Sequence, residues 1–210
     1  MMLPKGFVYL NDPRIFKSMA YATPYNFLGR VVKGYQASVC ILTEQAATAL
    51  IKLQTVLDQQ HPGLCIKIFD AYRPVRSVTD FIEWAQDPSD QKMKDHCYPT
   101  LNKPDLFEQG YISKRSAHSR GSTVDLTLVN VLQQFPDAIE LDMGTPIDFF
   151  GEASHTHNPT ISEKAKANRA LLLSLMEAQG FENYEFEWWH FTLKNEPFPD
   201  TYFDFPIEYP

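Results

Sequence analysis

Residues 116–128 read SAHSRGSTVDLTL, and the fold turns on this stretch. From Ser122 to Leu128 the side chains alternate, with Val124, Leu126 and Leu128 on one side and Thr123, Asp125 and Thr127 on the other. That period of two marks a β-strand with its aliphatic face on a core. Asp125 therefore lies on the face opposite the aliphatics. The tight Ser119-Arg120-Gly121 turn ahead of the strand can bring His118 to the same mouth of a sheet.

Working outward, YEFEWWHFTL at 184–193 has the aromatic enrichment of a second strand, interrupted by a polar set, Glu185, Glu187 and His190. LCIKIFD at 64–70 alternates and reads as a third. Thr43 to Gln60 carries Ala46, Ala47, Leu50, Ile51, Leu53, Val56 and Leu57 at a helical period, with Thr43 as N-cap and His61-Pro62-Gly63 as the stop. Tyr72-Arg73-Pro74 opens a helix running to about Gln86, with Val75, Val78, Phe81, Ile82 and Ala85 inward. Residues 87–115 hold three prolines and few periodic apolar positions, which predicts an extended loop long enough to suggest function. Ser162 to Gln179 reads as a second long helix, stopped by Gly180. The aromatic, four-proline tail from Asn195 reads as a strap packed over the domain. This order predicts an α+β fold in a single domain, residues 1–210: a small, mostly antiparallel sheet with helices packed around it.

Composition narrows the function classes. At 44% apolar and 21% charged, the chain is neither collagen-like nor low-complexity. Its net charge of −7 has the wrong sign for wrapping nucleic acid or an anionic membrane, so a small or zwitterionic ligand is expected. The start, MMLPKGFVYLNDP, lacks the apolar centre of a secretory signal, and the run Ala170 to Met176 is too short to span a bilayer. Cys40, Cys65 and Cys97 are odd in number and irregularly spaced, which predicts no disulfide framework and a cytoplasmic location. Fifteen prolines stand against nine glycines. Average usage would give about 10 and about 15, so stiff loops are expected, walling a small pocket.

Six histidines bound the search for a metal site. His61, beside Pro62-Gly63, and His96, in a polar loop, suit capping or solvated roles. His118, Asp125 and His190, all from strand ends, make the three-protein-ligand set of a catalytic zinc site with a fourth position open to water. Glu187, three residues before His190 among aromatics, can serve as general base on metal-bound water. Arg73, in a turn after a strand, can stabilise an oxyanion or simply pair with Asp70. Asp148, in MGTPIDFFGEASHTH at 143–157, can take a cationic ligand group. His155 and His157 in that segment can add a ligand or cap Thr160 and the following helix.

With those residues assembled, the chain resembles the VanX-type D-alanyl-D-alanine dipeptidases, zinc metallopeptidases related to D,D-carboxypeptidases. The likeness is carried by KSMAYATPYNFLG near the start, FDAYRP at 69–74, SKRSAHSRGSTVDLTL at 113–128, MGTPIDFF at 143–150, EASH at 152–155, EFEWWHFTL at 185–193 and YFDFP at 202–206. The resemblance implies one zinc ion held by His118, Asp125 and His190 at the sheet mouth, Glu187 as catalytic base and Arg73 stabilising the transition state. It further implies that Tyr21 and Asp148 hold the ammonium of a small dipeptide substrate, with Ser116 on its carboxylate. The expected reaction is hydrolysis of D-alanyl-D-alanine to two D-alanines, with no nucleic-acid or membrane partner. Two other readings stand beside it. One is a related zinc peptidase acting on another cell-wall-derived peptide, and the other a zinc-binding module that holds wall fragments without cutting them.

Overall fold

The computed structural model describes residues 2–131 and 139–210. Its elements in chain order are β1 (Phe7–Tyr9), β2 (Phe16–Lys17), β3 (Ile41–Thr43), α1 (Glu44–Gln60), β4 (Leu64–Asp70), α2 (Val75–Gln86), α3 (Lys94–Cys97), α4 (Lys103–Glu108), β5 (Thr123–Asn130), β6 (Ile139–Glu140), α5 (Glu163–Ala178), β7 (Phe181–Asn183) and β8 (His190–Leu193). The main sheet runs β2-β4-β5-β8-β7, with β6 paired to the far end of β5. Among the described strands of this sheet only the β2–β4 pair is parallel, so the α+β, mostly antiparallel expectation holds. β1 and β3 form a separate antiparallel pair.

Two cores flank this sheet. On one side Leu50, Leu53 and Leu57 of α1 and Leu172, Leu175 and Met176 of α5 cover Ile66, Ile68, Val124, Leu126 and Leu128. Each such fully buried aliphatic side chain contributes about 1.5–3 kcal/mol. Thr43 caps α1 through the Ala46 N–H, and Ser162 caps α5 through the Ala165 N–H, as the side-chain oxygens of Ser and Thr at N-caps do. Buried Gln54 ties α1 to β4, its Oε1 accepting the Ile66 N–H at 2.9 Å. The second core is aromatic and gathers Tyr21, Phe27, Phe81, Trp84, Tyr98 and Phe150 around α2.

Four expectations need correction. Residues 87–115 are not one extended loop, because they contain α3 and α4. Pro104, one of the three prolines that suggested a loop, sits in the first turn of α4, where its missing N–H has no partner to lose, and Asp105 accepts the Asn102 N–H at 2.7 Å. Residues 184–189 are a turn rather than strand, so β8 begins only at His190. Along the helices, Ile51 and Val75 face solvent, while Gln54 and Trp84 take inward positions. Neither His155 nor His157 caps Thr160; Asn158 Oδ1 accepts both its N–H and its hydroxyl. The tail does pack as a strap: Phe205 stacks on Tyr72 at 4.0 Å between ring centroids, and Phe203 N–H donates to Ser119 O.

Candidate metal and peptide site

The site begins with one rung of the sheet. Asp70 of β4, Asp125 of β5 and His190 of β8 are opposed in register. In an uninterrupted β4 ladder Asp70 would share the face of Ile66 and Ile68, the core face. The register shifts between Ile68 and Asp70, a bulge that sets Asp70 opposite Asp125. Bulges commonly re-aim a side chain beside a functional site in this manner.

His118 arrives from the 3-10 turn Ala117–Arg120 that precedes β5. Ser116 opens that turn by accepting the His118 N–H, and Gly121 closes it at φ 84°. A Cβ at Gly121 would stand 2.2 Å from the Phe7 ring, so the turn needs glycine for space as well as conformation. The His118 ring is fully buried, and its Nδ1–H donates to Ala71 O at 2.6 Å. A carbonyl only accepts, so the bond fixes the tautomer and leaves the Nε2 lone pair facing the sheet.

Three side chains then converge, with a different oxygen of Asp125 facing each imidazole. His118 Nε2 lies 3.2 Å from Asp125 Oδ2 and 3.3 Å from His190 Nδ1, which lies 3.1 Å from Asp125 Oδ1. Tetrahedral zinc with ligands at about 2.0–2.1 Å requires donors about 3.3–3.4 Å apart. The separations, 3.1–3.3 Å, are close to that, so the donor set of two imidazoles and a carboxylate fits a divalent cation, and His118, Asp125 and His190 are the one such cluster among the described residues. Burial opposes ionising Asp125, yet the two imidazoles outweigh it and hold its carboxyl well below the usual range. Burial likewise lowers the proton affinity of His190, which favours the neutral form that ligates metal.

Around the triangle lies a cavity of about 280 Å³, at the small end for ligand sites. Tyr21, Arg73, Ser116, Asp125, Asp148, Glu187 and His190 all line it. Thus, of the eight residues that the resemblance implies for the site, seven line the cavity and His118 stands behind it, whereas His155 and His157 do not reach it. Glu187 projects from the 184–189 turn, with Oε2 at 3.6 Å from His190 Nδ1. Burial, reinforced by the negative charges of Asp125 and Asp148, pushes its carboxyl well above the ordinary value. Asn183 Nδ2 fixes this turn by donating to the carbonyls of Glu187 and His190.

Arg73 makes the Asp70 ion pair that was one of its two sequence readings, and it also lines the cavity. It pairs with Asp70 at 2.9 Å and reaches Asp125 Oδ2 at 3.3 Å, with its guanidinium over the Tyr21 and Phe81 rings. Asp70 also accepts the Tyr35 hydroxyl at 2.6 Å. Sequence reasoning left Asp70 as a mere partner and passed over Tyr35. The available signal was a carboxylate ending a mostly apolar strand, next to the Arg73 turn.

Asp148 is the only non-glycine residue with positive φ among those described, at 60°, a conformation costing on the order of 1–3 kcal/mol. Its Oδ1 accepts the Tyr21 hydroxyl at 3.0 Å, while Oδ2 is buried with no partner. Burial, then repulsion from Asp125, pushes this carboxyl up to about 7. A strained, half-satisfied carboxylate on a cavity wall is suited to a ligand cation. His155 instead bonds Tyr111 at 2.9 Å, and His157 is exposed.

Comparison with known proteins places the chain in a family. A family model described as D-ala-D-ala dipeptidase matches residues 11–208. The chain is 40% identical over 206 residues to a D-alanyl-D-alanine dipeptidase of Enterococcus faecium, spanning 97% of this chain and 98% of that protein. It is 42% identical over 187 residues to one of Streptomyces coelicolor, covering 89% and 90%. With one of Escherichia coli the identity is 33% over 181 residues, covering 86% and 80%. The chain belongs to the D-Ala-D-Ala dipeptidase family of M15 metallopeptidases.

Proposed function

We propose that this peptidase hydrolyses D-alanyl-D-alanine with one zinc ion held by His118, Asp125 and His190. The observation that carries the reading is the pairing, across one small cavity, of that donor triangle with the unpartnered Oδ2 of Asp148. Such a cation, when bound, supplies Lewis acidity to a substrate carbonyl and makes water a stronger acid.

The remaining chemistry belongs to the chain. Asp148 and Tyr21 receive the substrate ammonium, and Ser116 receives its carboxylate. A pocket that satisfies both ends of a free dipeptide disfavours a longer peptide, whose extra residues would leave one end unpaired. Glu187 takes a proton from the attacking water and passes it to the leaving amine nitrogen, which its raised affinity for protons suits. Arg73, held by Asp70, turns its remaining positive potential toward the oxygen that gains charge at the scissile carbonyl. Two buried free thiols, Cys40 and Cys97, and a third at Cys65 fit a reducing cytoplasm.

The reading is tested by alanine release from D-Ala-D-Ala, its N-acetyl derivative and a stem pentapeptide ending in D-Ala-D-Ala. The free dipeptide alone should be turned over efficiently. Equal turnover of the pentapeptide would replace the closed two-residue pocket with an open carboxypeptidase groove, and binding without any release would replace the enzyme with a carrier.

A further inference from the structure

Arg169, in the middle of α5, is 2% exposed, and no carboxylate among the described residues lies within ion-pairing distance of it. A cation out of water is costly unless its donors are met. Here they are met by three backbone carbonyls: Nε donates to Met143 O at 2.7 Å, Nη1 to His155 O at 2.7 Å and Nη2 to Ala153 O at 2.8 Å. Burial lowers its proton affinity only to about 10, so it remains a cation at neutral pH.

Those carbonyls are the two ends of the loop that carries Asp148. Further ties close the same loop: Thr145 Oγ1 and Ser154 Oγ are 3.1 Å apart, and the Ser154 hydroxyl donates to Phe149 O. Trp188 joins the cluster, its indole Nε1–H donating to Thr145 Oγ1 at 2.9 Å, its backbone N–H to Ser154 O at 3.0 Å, and its ring 5.9 Å from the Arg169 guanidinium. Trp188 immediately follows Glu187. One buried cluster thus joins the loop of Asp148 to the turn of Glu187, while Arg169 does not itself line the cavity.

We propose that Arg169 is a positioning residue for substrate recognition, holding both ends of the 143–155 loop so that Asp148 meets the ammonium of the dipeptide. The proposal rests on the role given to Asp148 above. A planar fork that reaches three carbonyls at once fixes a loop in a way that a single ammonium does not.

The test uses the metal-loaded full chain in steady-state alanine release, comparing Arg169→Met, Arg169→Lys, Asp148→Asn and the Arg169→Met/Asp148→Asn double variant. Arg169→Met should raise KM for D-Ala-D-Ala roughly 10- to 100-fold, since small misplacements carry costs of that order. Its kcat should stay within about threefold, because the interaction lost is one of binding. In the Asp148→Asn background the same substitution should change KM by less than about twofold, the signature of two residues acting through one contact. A merely structural role would lower kcat through lost active protein, leave KM alone, and multiply independently with Asp148→Asn; that pattern overturns the proposal. Should Arg169→Met fail to fold, Arg169→Lys serves in its place: a KM above that of the parent supports the proposal, and a parental KM overturns it. If Asp148→Asn raises KM while the Arg169 variants do not, only the role of Arg169 falls. If Asp148→Asn leaves KM unchanged, the role of Asp148 falls and takes this one with it.

Discussion

Asp125 and His190 oppose each other directly across β5 and β8, with His190 Nδ1 3.1 Å from Asp125 Oδ1. The sheet register itself thus places two of the three proposed metal donors, and only His118 depends on a turn. Asp125→Asn removes charge while nearly preserving shape, so the fold should persist while metal is lost. Elemental analysis after dialysis should give near one zinc per parent chain and much less in the variant; an equal content would remove Asp125 from the donor set.

Glu187 stands in the 184–189 turn rather than in the strand, close to the donors without being one of them. Glu187→Gln should therefore retain metal and lose turnover by roughly 10²- to 10⁴-fold, the usual contribution of a general base. Near-parental turnover in a metal-replete variant would require another base.

Asp148 carries a cost that its proposed role in holding the substrate ammonium would explain. Its carboxyl is raised from 3.8 to about 7, so the stability linked to its protonation is full below 3.8 and lost as pH rises through about 7. Such a displacement is worth roughly 4 kcal/mol at most. Asn tolerates positive φ, so Asp148→Asn should raise the Tm of the metal-free protein at pH about 8 and barely change it at pH about 4. The parent enzyme should also bind D-Ala-D-Ala more tightly as pH rises from about 6 to about 7.5, with the carboxylate forming. A Tm gain equal at both pH values would contradict this assignment of buried charge.

Gly121 closes the turn that presents His118, and a side chain there would collide with Phe7. Gly121→Ala should destabilise by about 2 kcal/mol or more, from strain and overpacking together. Thermal unfolding and zinc affinity should fall together. A variant with parental Tm and metal affinity would mean that the turn can relax without moving His118.

Much of this arrangement was readable because period and residue chemistry coincide. The alternation from Val124 to Leu128 put Asp125 off the aliphatic core, and His190 followed from a polar residue closing an aromatic run. Local pattern could not show that 184–189 is a turn, because aromatic residues that favour strands also fill its inward positions, and Asn183 holds it through backbone carbonyls. Nor did α3 and α4 announce themselves: helices of four and six residues carry too little periodicity, and they persist by adding Cys97 and Leu106 to the aromatic core. Arg169 was invisible for a related reason, since its partners are main-chain carbonyls that no side-chain pattern reports. The prolines expected to wall the pocket do not do so: Pro88, Pro99 and Pro104 lie outside the cavity lining, which aromatic and polar side chains supply instead.

The most direct measurement of the central claim is alanine release from D-Ala-D-Ala by the parent chain, before chelation, after chelator treatment, and after zinc is restored. The account expects rapid release, loss of activity on metal removal, and recovery at near one zinc per chain. Undiminished release from protein shown by elemental analysis to be metal-free would contradict it.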